Sequence, residues 1–302
     1  MKRILDLMPS ELISLSAEEL YYALSQAEGR TLACETIGIA MPMLVDISNA
    51  ELAASLGADL IILNMFDVDN PEILGLPDTP ACDVIRCVKK LSGRAVGVNL
   101  EPAKVGEDDS IWAMKKGRVA NAENALKLLQ MGADFIVITG NPGNGVRNED
   151  ISGAIKEIKD AVKNNMLIFS GKMHASGIIG EGGENIVSKD DIKSFVSAGS
   201  DVILLPAPYT VPGITGEYIR SLVSYTHSLG RLTMTAIGTS QEGSDADTIK
   251  KIALEAKATG TDIHHIGDSG YMGMALPENI FTYSVAIRGV RHTYRRMAAR
   301  ER

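Results

Sequence analysis

The apolar positions along the chain fall into a phrase that is used four times. LGADLIIL begins at residue 56, MGADFIVI at 131, AGSDVILL at 198 and TGTDIHHI at 259. Each copy reads Gly, a small residue, Asp and then an apolar run. Each follows a stretch of helical periodicity: ELAASL, NALKLLQ, DIKSFVS and IKKIALEAKA. Glycine ends a helix because it enters the left-handed region without a Cβ penalty. The run after it has the length and composition of a buried strand. Between the copies lie further strand-like runs: RTLACETIGIA from 30, RAVGVNL from 94, MLIFSGK from 166 and RLTMTAIG from 231. The pattern therefore predicts eight strands, each followed by a helical stretch, with the phrase marking the even-numbered ones.

The copies are 75, 67 and 61 residues apart, so each interval holds two strand–helix units. Strands alternating with helices imply an α/β protein with a parallel sheet. Eight such units in about 270 residues are the size of a closed (βα)8 TIM barrel; an open doubly wound sheet is the alternative. Residues 1–29 read as extra N-terminal helices closing the bottom of the barrel, and 30–302 as the barrel itself. Ser16 with Glu19 and Ser48 with Glu51 have capping-box spacing and support the helix starts.

Turns from helix into strand are short, whereas connections from strand into helix are long. The long ones are 101–120, which contains the only Trp (Trp112), 172–189 with four Gly, and 206–216 with three Pro. Ordered long loops are usually functional. All three lie at strand C-termini, the end where barrel enzymes keep their sites.

Bulk numbers narrow the partners. Of 302 residues, 45% are hydrophobic and 23% charged, ordinary for a globular chain with a large core. The net charge is −8, yet residues 288–302 hold six Arg against one Glu, leaving −13 for the remainder. An acidic body disfavours nucleic acid as the main partner. The basic C-terminal helix, with Arg288, Arg291 or His292, and Arg295 at helical spacing, reads as a solvated face or as a contact with another subunit in a homo-oligomer. Cys34, Cys82 and Cys87 form no CxxC pair, which suits reduced thiols in a cytoplasmic protein. No apolar run reaches the ~18 residues of a membrane span, and Asp6, Pro9 and Glu11 interrupt any signal-like stretch.

Polar residues at the strand C-termini converge on one mouth: Glu35, Asn64 and Asp67, Asn99 and Glu101, Thr139 and Asn141, Lys172 and His174, and Asp268. Lys172 directly follows LIFSG. Desolvated there, it could form a Schiff base, act as a base or hold a phosphate; a rim lysine reaching water is the plainer reading. Glu101 and Asp67, on neighbouring strands, are candidate ligands for Mg or Mn, which take oxygen donors; alternatively Glu101 pairs with Lys104 or Lys172. His174 is a candidate proton shuttle or an ordinary loop residue. His264 and His265 are adjacent in a strand, so one points into the barrel. Asp59, Asp134, Asp201 and Asp262 start strands at the opposite end and read as structural.

Two loops suit an anion. GTSQEG (238–243) follows strand seven and GDSG (267–270) follows strand eight, where phosphate-binding barrels often offer backbone N–H groups. The candidates are Gly238, Thr239, Ser240, Ser269 and Gly270, although Asp268 would repel a phosphate unless a cation offsets it. Asn141 and Gly143 in NPGNG could form a second anion nest. Simple tight turns are the alternative for both. No nucleotide-cofactor motif is present.

FDVDN (66–70) and GDSG also have the outline of haloacid dehalogenase-type motifs, an Asp-x-Asp nucleophile and a Gly-Asp metal ligand. Asn70 follows the first, and Met272 stands where a second acid is needed. EGRTLACE (28–35), DISNAELAASLGADLIILNMFDVDNP (46–71) and HIGDSGYMGM resemble bacterial proteins of about this length whose function is unassigned and which are often labelled haloacid dehalogenase-like hydrolases. That resemblance implies a phosphohydrolase. GVNLEP after strand three and GADFIVITGNPGNGV around strand four bear a fainter likeness to BtpA-type and ribulose-phosphate-binding barrels, which implies the fold and a phosphorylated ligand.

The leading expectation is a cytoplasmic enzyme acting on a small, anionic, phosphorylated metabolite by lyase (aldolase-like) or isomerase chemistry. Lys172, Glu101, Asp67, His174 and Asp268 would carry the chemistry. The alternatives are a Mg-dependent phosphohydrolase using Asp67 and a non-catalytic barrel that binds a metabolite or assembles a complex.

Overall fold

A computed structural model describes residues 2–106, 113–140, 145–175, 177–178, 180 and 182–300, the side chain of Tyr271 excepted. Trp112, Asn141 and Gly143 fall outside the described residues. The strands are β1 Thr31–Ile37, β2 Leu60–Asn64, β3 Ala95–Leu100, β4 Phe135–Thr139, β5 Leu167–Gly171, β6 Val202–Pro206, β7 Leu232–Ile237 and β8 Ile263–Ile266. Each pairs in parallel with the next, and β8 pairs with β1, so the ring predicted from the repeated phrase closes. The helices are α1 Pro9–Leu12, α2 Ala17–Ser25, α3 Asn49–Ser55, α4 Val84–Ser92 and α5 Ala122–Met131, then α6 Asn148–Val162, α7 Lys189–Ala198, α8 Gly216–Ser228, α9 Ala246–Ala258 and α10 Pro277–Ala298.

The phrase has a physical reason at each of its letters. Its glycines, Gly57, Gly132, Gly199 and Gly260, all have φ between 90° and 117°, where a Cβ is penalised. Its aspartates each accept the backbone N–H of the second residue of the preceding odd strand. Asp59 takes Leu32, Asp134 takes Val96, Asp201 takes Ile168 and Asp262 takes Thr233, at 2.8–3.0 Å. Three of the aspartates also meet a basic side chain from the helix that leads into that odd strand. Lys89 of α4 lies 2.7 Å from Asp134, Lys159 of α6 3.5 Å from Asp201 and His227 of α8 2.8 Å from Asp262. Arg288 of α10 completes the set at Asp59. The barrel thus repeats one clamp four times at its N-terminal end, and these aspartates tie neighbouring strands and helices together.

Side chains fill the ring rather than leaving a pore. Phe135 and Phe169 stack with centroids 4.6 Å apart. Gly97 makes room for them, since a Cβ there would stand 2.2 Å from the Phe135 ring. Below this layer, Ile4, Leu5, Leu12, Leu20 and Leu24 of the N-terminal segment join Leu60, Leu167, Val202 and Ile263 in one apolar cluster. A second cluster packs the outer faces of the strands against the helices.

The basic C-terminal helix differs from its reading as a solvated or intersubunit face. Gly289 (φ 74°) breaks α10, and Arg288, Arg295 and Arg296 turn inward while Arg291 stays exposed. Arg288 and Arg296 both reach the buried Asp59, and Arg295 donates to the carbonyls of Leu5 and Asp6. Burial opposes ionisation of Asp59, but the two guanidiniums outweigh it and hold its pKa below the ordinary value. Periodicity cannot reveal this, because the glycine resets the phase of the helix. Among the described residues no helix is long and apolar enough to cross a membrane.

Candidate active site

At the C-terminal mouth of the barrel, strand ends bring polar groups around a cavity of about 290 Å³. Inward positions alternate along each strand. The positions that bury Ala33, Ile62, Val137 and Ile263 deeper in the ring therefore present Glu35, Asn64, Thr139 and His265 two residues further on. Four of the rim residues are joined in a line. Thr139 Oγ1 donates to Asn99 Oδ1 at 2.8 Å, Asn99 Nδ2 to Asn64 Oδ1 at 3.1 Å, and Asn64 Nδ2 to Asp268 Oδ2 at 2.7 Å. The other Asp268 oxygen accepts the Gly270 N–H at 2.8 Å.

Asp268 is the perturbed group of this line. Burial and the nearby Glu35 push its pKa up to about 6, against the two hydrogen bonds that favour its ionised form. Glu242 stands close by, also raised by burial, with the N–H of Ser269 and the charge of His265 acting in the opposite direction. One Glu242 oxygen is buried without a hydrogen-bond partner among the described residues. Deeper in the ring, His265 Nε2 lies 3.2 Å from Glu35 Oε2. Its neighbour His264 faces outward and is structural, with Nδ1 3.2 Å from Tyr283 Oη and Nε2 3.1 Å from the Gly29 carbonyl oxygen.

Arg118 enters from the long third loop. The chain returns beside β3, where Glu101 N donates to the Arg118 carbonyl at 3.2 Å and Ala120 N to the Glu101 carbonyl at 2.8 Å. This register sets Arg118 and Glu101 together on the cavity wall. The same segment holds Asp67. Val68 N donates to the Gly117 carbonyl, and a Cβ on Gly117 would stand 1.8 Å from Asp67 Oδ1. That oxygen also accepts the Asp69 N–H at 2.9 Å. Asp67 is thus held against loop three and outside the residues that line the cavity.

The remaining candidates divide as follows. Glu101, His174, Gly238 and Asp268 line the cavity. Lys172 is 2% exposed and outside the lining; its charge, after burial, helps lower the pKa of His174, while Glu35 acts against this. Thr239 donates to the Thr210 carbonyl at 2.7 Å. Ser240 and Ser269 both sit in left-handed backbone, φ 77° and 55°. The Gly270 N–H is taken by Asp268, so loop eight presents a carboxylate where a phosphate cup was expected.

The pairing of Asp67 with Glu101 as metal ligands does not fit this arrangement. The Arg118 guanidinium lies within electrostatic reach of both carboxylates, and among the described residues no group of three or more His, Cys, Asp or Glu is placed to hold a metal ion. A cavity of about 380 Å³ also exists at the opposite end of the barrel, beside Arg94. The guanidinium there already donates to the carbonyls of Ala54, Ala58, Gly93 and Arg296.

Glu242 and Arg118 were missed in the sequence. Glu242 lies in the GTSQEG turn, whose glycine and hydroxyls drew attention instead. Arg118 is placed by a loop return that no local pattern announces.

The chain belongs to the family described as Domain of unknown function (DUF7916), whose profile matches residues 5–302. No curated protein sequence matches it. Among solved structures it is similar to 2,3-dimethylmalate lyase, described as a PEP mutase/isocitrate lyase superfamily member, with a TM-score of 0.53 and 14% identity over 83% of this chain and 81% of the other. It also resembles thiamine phosphate pyrophosphorylase from Pyrococcus furiosus, with a TM-score of 0.49 and 14% identity over 86% and 96% of the two chains. At such identity the likeness to the lyase extends to the fold alone. The haloacid dehalogenase resemblance is not upheld: the family carries no such description, and the closed ring leaves no open sheet with an inserted cap.

Proposed function

We propose that this DUF7916 barrel is an enzyme that moves a proton to or from carbon on a small anionic metabolite, a lyase or an isomerase. The observation that carries the reading is Asp268. It is a carboxyl lifted towards neutrality, fixed at both oxygens and set in a polar cavity beside a second raised carboxyl, Glu242. A general base works best with a pKa near the working pH, and burial beside like charge is how a carboxylate reaches it. Ionised Asp268 takes the proton; Glu242, which burial biases towards its protonated form, returns one to the leaving or neighbouring oxygen.

The substrate's charge is read by Arg118 and by His174 when protonated, with the buried Lys172 adding positive potential from beyond the lining. A phosphate would be held on that side, because Asp268 occupies the Gly270 amide and its charge repels an anion from loop eight. This arrangement favours an acid–base mechanism over a phosphohydrolase built on Asp67, whose carboxylate is held against Gly117.

The test is proton NMR in D2O with a panel of phosphorylated and carboxylate-bearing carbonyl and hydroxy compounds. The wild-type protein should wash deuterium into, or convert, at least one compound, faster as pH rises through about 6. Asp268→Asn should lower that rate by at least about a hundredfold with the fold intact. A silent panel, or an Asp268→Asn variant as active as wild type, refutes the proposal; a ligand-induced thermal shift without turnover would favour a binding barrel.

A further inference from the structure

A second depression adjoins the polar cavity. It is an open groove of about 750 Å³ over Ala175, Ile178, Val211 and Pro212, and it meets the cavity at His174 and Gly238, which line both. The two chambers differ in chemistry. Carboxylates, amides and a guanidinium face the cavity, whereas the described residues wall the groove mainly with carbon. Ile178 is 41% exposed, and Val211 is half-buried with its inner side against the core. Between them Met173 forms a sill. A Cβ on Gly238 would stand 2.1 Å from Met173 Sδ, so any larger residue there would displace the thioether. An unbranched thioether side chain adapts its shape to what passes over it.

We infer that the substrate is amphipathic. Its anionic, reacting head occupies the polar cavity, and an apolar arm crosses His174 and Gly238 into the groove. A sugar phosphate fits this pair of chambers poorly, because hydroxyls laid along Ile178 and Val211 would lose water without gaining partners. An alkyl or aryl arm loses nothing there, and it covers surface that otherwise stays wet. The reaction at the head rests on the acid–base reading of the cavity, but the binding of the arm does not.

The experiment measures calorimetric affinity for unbranched carboxylates from butyrate to decanoate, each below its micellar concentration. It uses wild type, Asp268→Asn, and two groove variants on opposite walls, Val211→Gln and Ile178→Gln. Affinity should tighten about three- to fourfold per added methylene, the factor implied by about 0.8 kcal/mol per buried CH2. The gain should persist in Asp268→Asn and shrink in each groove variant whose thermal unfolding matches wild type. An affinity independent of chain length in the wild type overturns the inference, and so does a gain that both groove variants leave untouched. Should the chain-length gain appear while deuterium exchange fails on every compound, the groove stands and the acid–base reading falls. Exchange on short substrates with a flat chain-length series has the reverse meaning.

Discussion

Replacing Asp268 by Asn should make the protein more stable in mild alkali while it removes activity. The wild-type carboxyl has its pKa raised from an ordinary 3.8 to about 6 by burial and by Glu35. The folded protein therefore holds a proton that the unfolded chain has already released. Stability from this group is fully present below pH 3.8 and is lost as pH rises through 6. At about 1.36 kcal/mol per pH unit across that window, the loss approaches about 3 kcal/mol at pH 8. The asparagine variant carries no such charge. It does lose one acceptor, since Asn64 Nδ2 and the Gly270 N–H each use a different carboxylate oxygen, at a cost of about 1 kcal/mol at any pH. The variant should thus be slightly weaker than wild type near pH 4 and stronger by about 2 kcal/mol at pH 8. His264, whose pKa burial depresses to about 4, adds an acid-side loss to both proteins and cancels in the difference. Urea unfolding followed by circular dichroism from pH 4 to 8 reads this difference. A difference that is flat with pH, or that runs the other way, would refute the electrostatic reasoning.

Glu35→Gln removes the like charge beside Asp268, so the acidic limb of the pH–rate profile should move to lower pH; Asn64→Leu removes a hydrogen bond to the ionised form and should move it higher. Lys172→Met should raise the pKa of His174, because the lysine charge helps depress it, and an imidazole titration by NMR checks the direction. Asp59→Asn should destabilise by about 3–5 kcal/mol, since it leaves Arg288 and Arg296 buried without their counter-charge; a urea midpoint close to wild type would contradict the clamp.

The fold was legible because its signal is repeated and local. Four glycines in left-handed backbone and four aspartates on strand-start amides are each fixed by a few neighbouring residues, and apolar runs declare the strands. The mouth was legible as a place, since loop lengths mark the end where strand termini converge. Within it, Asn64, Asn99, Thr139 and Asp268 could be named, but not their order in one hydrogen-bonded line, which depends on the stagger of the closed ring. Arg118 and Glu242 were hidden for a related reason. Their roles come from a loop return beside Glu101 and from burial against Ser269, contacts far apart in sequence and without a spacing of their own. The placement of Asp67 was hidden too: its Asp-x-Asp neighbourhood does not show that Gly117 and the Asp69 N–H hold its carboxylate to a loop. The cationic helix was misread because Gly289 turns Arg296 towards Asp59.

The proposed chemistry needs a carboxyl at residue 268 that is half-protonated near pH 6. Carbon-13 NMR of the aspartate side-chain carboxyls, assigned by comparing wild type with Asp268→Asn, measures this without a substrate. One resonance, absent from the variant, should titrate with a midpoint near pH 6. A midpoint near 4 for that resonance would contradict the account.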